Sequence, residues 1–212
     1  MFKLAQSKEI VFSFFLFLIV VGDFAVAFEE PRYSIISKLE KIELRQYQDY
    51  LVAETTVVGN RDEAGSTGFK ILAGYIFGGN KGNDNISMTA PVIQLQIDPT
   101  QIKSTTLVQS ADTSEKQNWI VQFMMPSKYQ LETLPKPKDS RILFKHIQPR
   151  KIAAITYSGR WTESNYHEHL DILIKEMQKA KLTAKGLPLW ARYNSPFTPW
   201  FLRKNEIFME FE

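Results

Sequence analysis

The chain has 212 residues, 13% of them aromatic, a net charge of +3 and no cysteine. That length supports one or at most two domains with a full core, and the absence of thiols excludes disulfides, thiolate metal sites, a cysteine nucleophile and a lipid-modified N-terminal cysteine. Basic and acidic residues alternate along the chain, so neither a nucleic-acid groove nor a polybasic membrane patch is expected.

Residues 1–27 read as a cleaved signal peptide. Lys3 and Lys8 form a positive start, Ile10 to Val21 is a twelve-residue apolar run broken by Ser13, and Ala25-Val26-Ala27 is a small-residue cleavage site. The run is shorter than the ~20 residues that cross a bilayer, and Asp23 blocks its extension, so an uncleaved anchor is the lesser alternative. The expectation is a periplasmic or secreted protein whose residues 28–212 form one domain with no stable membrane span.

Tyr33 to Val58 carries strand signals: Ile42 and Leu44 alternate with Glu43 and Arg45, Leu51 to Val58 is rich in β-branched residues, and Gln48-Asp49 predicts a hairpin turn. A first helix is predicted from Asp62 to Phe77, with Phe69, Leu72 or Ala73, and Ile76 on one face. Gly65, Gly68 and Gly74 interrupt it, each at about 1 kcal/mol relative to alanine. They mark a close approach, to a flat ligand or, on the simpler reading, to a sheet. The run from Gly78 to Asn83 then ends the helix as a turn. A phosphate loop precedes its helix, whereas this run follows one. Further strands are expected at Ile86 to Gln96, Thr106 to Gln109, Trp119 to Met125 and, as an edge, Arg141 to Ile147. A second helix, Thr162 to Lys181, aligns Tyr166, Leu170, Leu173, Met177 and Ala180 on one stripe. Trp190 to Tyr193 and Glu206 to Phe211 are the last strands, joined by the aromatic and proline-rich loop from Asn194 to Phe201.

Val52 to Ala64 comes back one hundred residues later as Ile152 to Ser164. In both copies a β-branched run meets a glycine, Gly59 or Gly159, and a polar turn opens a helix. Self-similarity at a fixed offset is the mark of a duplicated unit, here one domain built twice.

Catalytic and metal signatures are missing. His167 and His169 stand two apart on a helix and point to nearly opposite sides, whereas helical zinc pairs need a spacing of four. His146 stands alone and reads as structural. Neither Ser66 nor Ser195 sits in a nucleophile motif. Met88, Met124, Met125, Phe197, Trp200 and Phe201 gather at turns and strand ends, where they either plug the core or line an apolar cleft.

Six dispersed blocks, in order, carry a family resemblance: Arg61-Asp62-Glu63-Ala64, Tyr75 to Asn80, Ile86 to Val92, Met125-Pro126-Ser127-Lys128-Tyr129, Ser158-Gly159-Arg160-Trp161 and Ala191 to Ile207. Over Tyr33 to Phe211 the chain resembles the SOUL family of haem-binding proteins. The resemblance implies an α+β fold: a distorted antiparallel β-barrel from two pseudo-symmetric strand-helix-strand-strand repeats, with two helices packed on the sheet. It also implies a tetrapyrrole, haem, held in an apolar cleft beside the first helix. The corresponding positions are Phe69, Leu72, Ala73 and Ile76, with Met88, Phe197 and Trp200 as neighbours. The first helix offers only Lys70 as a cation, so propionate contacts would come from Lys81, Arg192 or Arg203.

Three functions are therefore in view. The first is an exported, non-enzymatic haem or porphyrin binder. The second is a sensor or carrier of another apolar small molecule on the same fold. The third is a small-molecule hydrolase, which would need Glu63 or Glu163 buried in the cleft with a raised pKa.

Overall fold

The computed structural model describes residues 28–97 and 117–212. The expected leader and the strand expected at Thr106 to Gln109 lie outside the described residues. Among those described, nine strands and two helices follow in the order β1 (Tyr33–Lys38), β2 (Glu43–Tyr47), β3 (Tyr50–Gly59), α1 (Arg61–Ile76), β4 (Val92–Gln96), β5 (Gln117–Met124), β6 (Ile142–Ile147), β7 (Arg150–Tyr157), α2 (Glu163–Lys179), β8 (Ala184–Arg192) and β9 (Asn205–Phe211). No described helix is long and apolar enough to cross a membrane.

The strands form one antiparallel sheet in the order β1-β2-β7-β9-β8-β4-β5-β3-β6. The α+β class and the duplicated βαββ unit are as read, but the expected barrel does not close. β1 pairs only with β2 and β6 only with β3, which leaves two free edges. The sheet curls instead. Arg150 of β7 donates to the Tyr50 hydroxyl of β3 at 2.8 Å across the concave face, although four strands lie between them in the sheet.

The duplication is visible as an exchange. The turn at Gln48-Asp49, expected to close a hairpin, parts β2 from β3 and leaves β2 in the other half: β2 pairs with β7 (Tyr47 opposite Arg150), while β6 pairs with β3 (Ile147 opposite Tyr50). Each pairing maps onto the other when one hundred is added to the β2 and β3 numbers. The strand expected over Ile86 to Gln96 is limited to Val92–Gln96, following the Ala90-Pro91 step.

Both helices lie on the convex face, α1 over β3 and β5, α2 over β7 and β9. Asn60 caps α1 by accepting from the backbone N–H groups of Asp62 and Glu63, and Thr162 caps α2 by accepting from Asn165 N–H. Gly68 explains the glycine content of α1, because a Cβ there would stand 2.5 Å from Val121 Cγ2. The helix can lie this close to β5 only without a side chain at that point. Under α2, Tyr166, Leu173 and Met177 of the expected stripe are buried against Ile155, Ile207 and Met209. The turn after α1 is organised by fully buried Asn80, whose amide donates to the carbonyls of Tyr75 and Asp84. It is a structural turn, as its position after a helix implied.

The concave face carries a buried ion pair. Glu206, 1% exposed, accepts from both ends of the Arg45 guanidinium at 2.8 and 3.0 Å, from Thr156 Oγ1 at 2.7 Å and from the Tyr193 hydroxyl. The Arg45 guanidinium also stacks 4.6 Å from the Tyr33 ring.

Candidate functional site

Strand alternation turns Val92 and Gln94 of β4, Val121 of β5 and Arg192 of β8 toward the helices. There they floor a cleft of about 240 Å³ beside the first two turns of α1. Gly65, Ser66, Phe69 and Lys70 form the helical wall, and Trp161, Asn194 and Pro196 the opposite one. The cleft lies near the axis relating the two halves, where the starts of α1 and α2 meet. Arg61 at the start of α1 pairs with Glu163 of α2 at 3.0 Å and lies 4.3 Å over the Trp190 ring.

Two side chains in the floor are incompletely satisfied. Gln94 is 2% exposed, and its Nε2 donates to the Arg61 carbonyl at 2.7 Å. That bond fixes the amide orientation, since the flipped form would set oxygen against oxygen. Its Oε1 has no hydrogen-bond partner among the described residues. It faces the space that a side chain at residue 65 would fill: a Cβ on Gly65 would stand 2.8 Å from it and 3.3 Å from Arg192 Nη1. Arg192 is the second. Its nearest carboxylate, on exposed Asp62, is 3.6 Å away. Burial lowers its pKa against the pull of Asp62, but an arginine remains charged.

The Trp161 ring is fixed by its Nε1–H bond to Asn205 Oδ1 at 2.7 Å and clasped by two guanidinium groups, Arg203 at 4.3 Å and Arg192 at 4.9 Å. The result is a small apolar slot with one rigid aromatic wall, a cation and an open acceptor. Arg192 suits an anionic substituent on a flat apolar ligand, and the Gln94 Oε1 acceptor a hydrogen-bond donor. The lining contains no histidine or methionine.

The expected residues scatter. Phe69 lines the cleft and meets the Phe123 ring edge-on at 5.3 Å. Leu72 and Ile76, expected on the cleft face, are fully buried against the sheet, because the glycines bring that face of α1 down onto β5. Ala73 and Met88 are half-buried beside the same core. Phe197 and Trp200 project to solvent from the β8–β9 loop. Arg192 is in the floor and Arg203 behind Trp161, whereas Lys81 belongs to the turn beyond the far end of α1. Gln94 and Trp161 were missed. Gln94 could have been found as a polar residue sharing a strand face with Val92, and Trp161 as the counterpart of Arg61 at the repeat offset.

The histidines stand elsewhere. His146 on edge strand β6 meets Asp49 at 3.1 Å, His167 meets Glu163 at 3.3 Å, and His169 stacks on Tyr157 at 4.3 Å. No three metal-type ligands gather among the described residues. Glu63 and Glu163 are exposed, so the burial that the hydrolase reading required is not met. A larger hollow of about 650 Å³ opens by the Gln48-Asp49 turn, but Glu29, Glu30, Asp49 and Glu132 line it, which disfavours an anionic ligand.

A family model described as SOUL heme-binding protein matches residues 28–210. No curated protein matches the sequence. Among solved structures, the EcmrR C-terminal domain is similar with a TM-score of 0.58 at 10% identity, covering 82% of this chain and 99% of that one. A hydrolase encoded by lin2189 from Listeria innocua has a TM-score of 0.55 at 11% identity, covering 84% and 94%. At these identities the likeness is one of fold.

Proposed function

The chain belongs to the SOUL heme-binding family, and on that premise we propose that it is an exported, non-enzymatic binder of haem or a related tetrapyrrole. The ring lies against Phe69, Trp161 and Pro196, and a propionate pairs with Arg192. The observation that carries the reading is the pairing of an apolar slot with a half-buried arginine whose one ion-pair partner among the described residues is the exposed Asp62 carboxylate at 3.6 Å. Affinity then comes mainly from removing the ring from water, at about 25 cal/mol per Å² of apolar surface, and secondarily from the charge-assisted bond. Leu72 and Ile76 support the helix from beneath. Export rests on the leader, with cleavage after Ala27 checked by mass spectrometry of the secreted chain.

The test is a titration with hemin followed at the Soret band, with protoporphyrin IX as the metal-free control. Saturable one-to-one binding of both supports a cleft that needs no axial ligand. Binding of hemin alone moves the site to an iron ligand such as His146, and saturation by neither overturns the reading. Phe69→Asp should weaken binding by about tenfold or more, and Lys70→Ala far less. Equal effects would place the ligand elsewhere. The cleft volume of about 240 Å³ favours a second reading, a smaller apolar anion at the same place, which would show itself by displacing porphyrin.

A further inference from the structure

The loop between β8 and β9 exposes four large apolar side chains together: Phe197 at 95%, Leu202 at 64%, Phe201 at 59% and Trp200 at 49%. Single exposed apolar residues are ordinary, but a cluster on one projecting loop marks a contact surface. The loop is also built. Thr198 N–H donates to the Ser195 carbonyl at 3.0 Å, and Arg203 donates to the carbonyls of Thr198 and Pro196 at 2.8 and 2.6 Å. Gly159 N–H fastens the Trp200 carbonyl to the β7–α2 turn at 3.1 Å. Half-buried Arg203 thus uses its hydrogen bonds to hold apolar side chains out in water.

The loop itself carries charge of one sign. No Asp or Glu occurs from Tyr193 to Asn205, a stretch that holds Arg203 and Lys204 and that Arg192 immediately precedes. Exposed Arg160, from the neighbouring turn, lies 5.8 Å over the Trp200 ring, while Lys204 is offset by Glu30 at 3.5 Å and Arg192 by Asp62 at 3.6 Å. The sequence holds no polybasic run; the cations meet because the fold sets Arg160 beside an acid-free loop that carries Arg203. Tryptophan and phenylalanine on a convex tip, flanked by arginines, match the headgroup boundary of an anionic bilayer, where the rings enter the acyl edge and the cations meet phosphate.

We propose that residues 197–202 insert into the surface of an anionic lipid bilayer, with Arg160 and Arg203 at the headgroups. Pro196 of the same loop lines the cleft. The contact therefore sets the mouth of the cleft at the membrane, where an apolar ligand exchanges with the lipid; this last clause rests on the proposed function.

The test uses the full chain without hemin, so its outcome does not depend on haem binding. Vesicles of phosphatidylcholine with phosphatidylglycerol, carrying brominated acyl chains, should quench tryptophan emission, and Trp200→Phe should remove most of that quenching. Replacing Phe197, Trp200 and Phe201 together by serine should lower partitioning by about tenfold or more, with an unchanged circular dichroism spectrum confirming the fold. All chains keep residues 1–27, whose contribution is common to them. Undiminished binding by the triple variant, quenching that survives Trp200→Phe, or equal binding to pure phosphatidylcholine would each overturn the proposal. A dimer that the triple variant dissolves, without vesicle binding, would assign the loop to self-association and overturn it too.

Discussion

Two buried polar centres sit back to back in this sheet and are finished differently. On the concave face the Glu206 carboxylate takes two bonds from Arg45 and one each from Thr156 and Tyr193. On the convex face Gln94 uses its donor and leaves Oε1 unpaired, and Arg192 has Asp62 only at 3.6 Å. The first centre, with its partners all internal, holds the fold, while the second stands open beside the cleft, where a ligand can meet it. The contrast separates scaffold from site without reference to any relative.

The largest effect should come from breaking the closed centre. Glu206→Ala leaves buried Arg45 with only half-buried Glu43, at 2.9 Å, as a counter-charge, which should cost about 3 kcal/mol in urea unfolding; a loss under about 1 kcal/mol would erase the distinction. Acid should do the same more gradually. Burial raises the Glu206 pKa, but the bonds from Arg45, Tyr193 and Thr156 outweigh it, and the net shift is below the ordinary 4.5. With the folded value depressed, the stabilisation is complete above pH 4.5 and is lost as pH falls through the lower folded value. The melting temperature should therefore drop on acidification below that point, and Glu206→Gln should flatten the drop. Next in size, Gly68→Ala should cost about 1–3 kcal/mol by forcing α1 off Val121. Gly74→Ala, with open space around its Cβ, should stabilise by up to about 1 kcal/mol. Smallest for the fold is Arg192→Met: under about 1 kcal/mol in unfolding, because its counter-charge, Asp62, is exposed and 3.6 Å away, yet with a several-fold loss of hemin affinity by titration. A large loss of stability with unchanged binding would move Arg192 to the scaffold.

Much of the fold was legible because periodicity and duplication are local signals. The hundred-residue echo of Val52 to Ala64, the stripe on α2 and the edge strand at Ile142–Ile147 all follow from spacing along the chain. The missed features depend on which distant strands meet. Nothing near Gln48-Asp49 says that β2 leaves β3 for β7, so a hairpin was the natural reading there, and the barrel was what the family resemblance implied. In the site, Phe69 was found by helical position. Leu72 and Ile76 share its apolar character but turn toward β5, and the glycines that allow this were open to either interpretation. Gln94 and Trp161 needed the third dimension, since each owes its role to partners distant along the chain, Gln94 to the Arg61 carbonyl and Trp161 to Asn205, Arg203 and Arg192.

The reciprocal pairing of β2 with β7 and β6 with β3 has a consequence for how such a molecule arises and folds. Each half lends its leading strand to the other, as arm-exchanging homodimers do between subunits, so this chain has the layout of a dimer whose two copies were joined into one polypeptide. A half-length chain would carry an unfilled strand edge that only a second copy's arm fits. It should therefore associate in pairs. In the fused chain the two arms close contacts about a hundred residues apart, so neither lobe reaches its native form before the other.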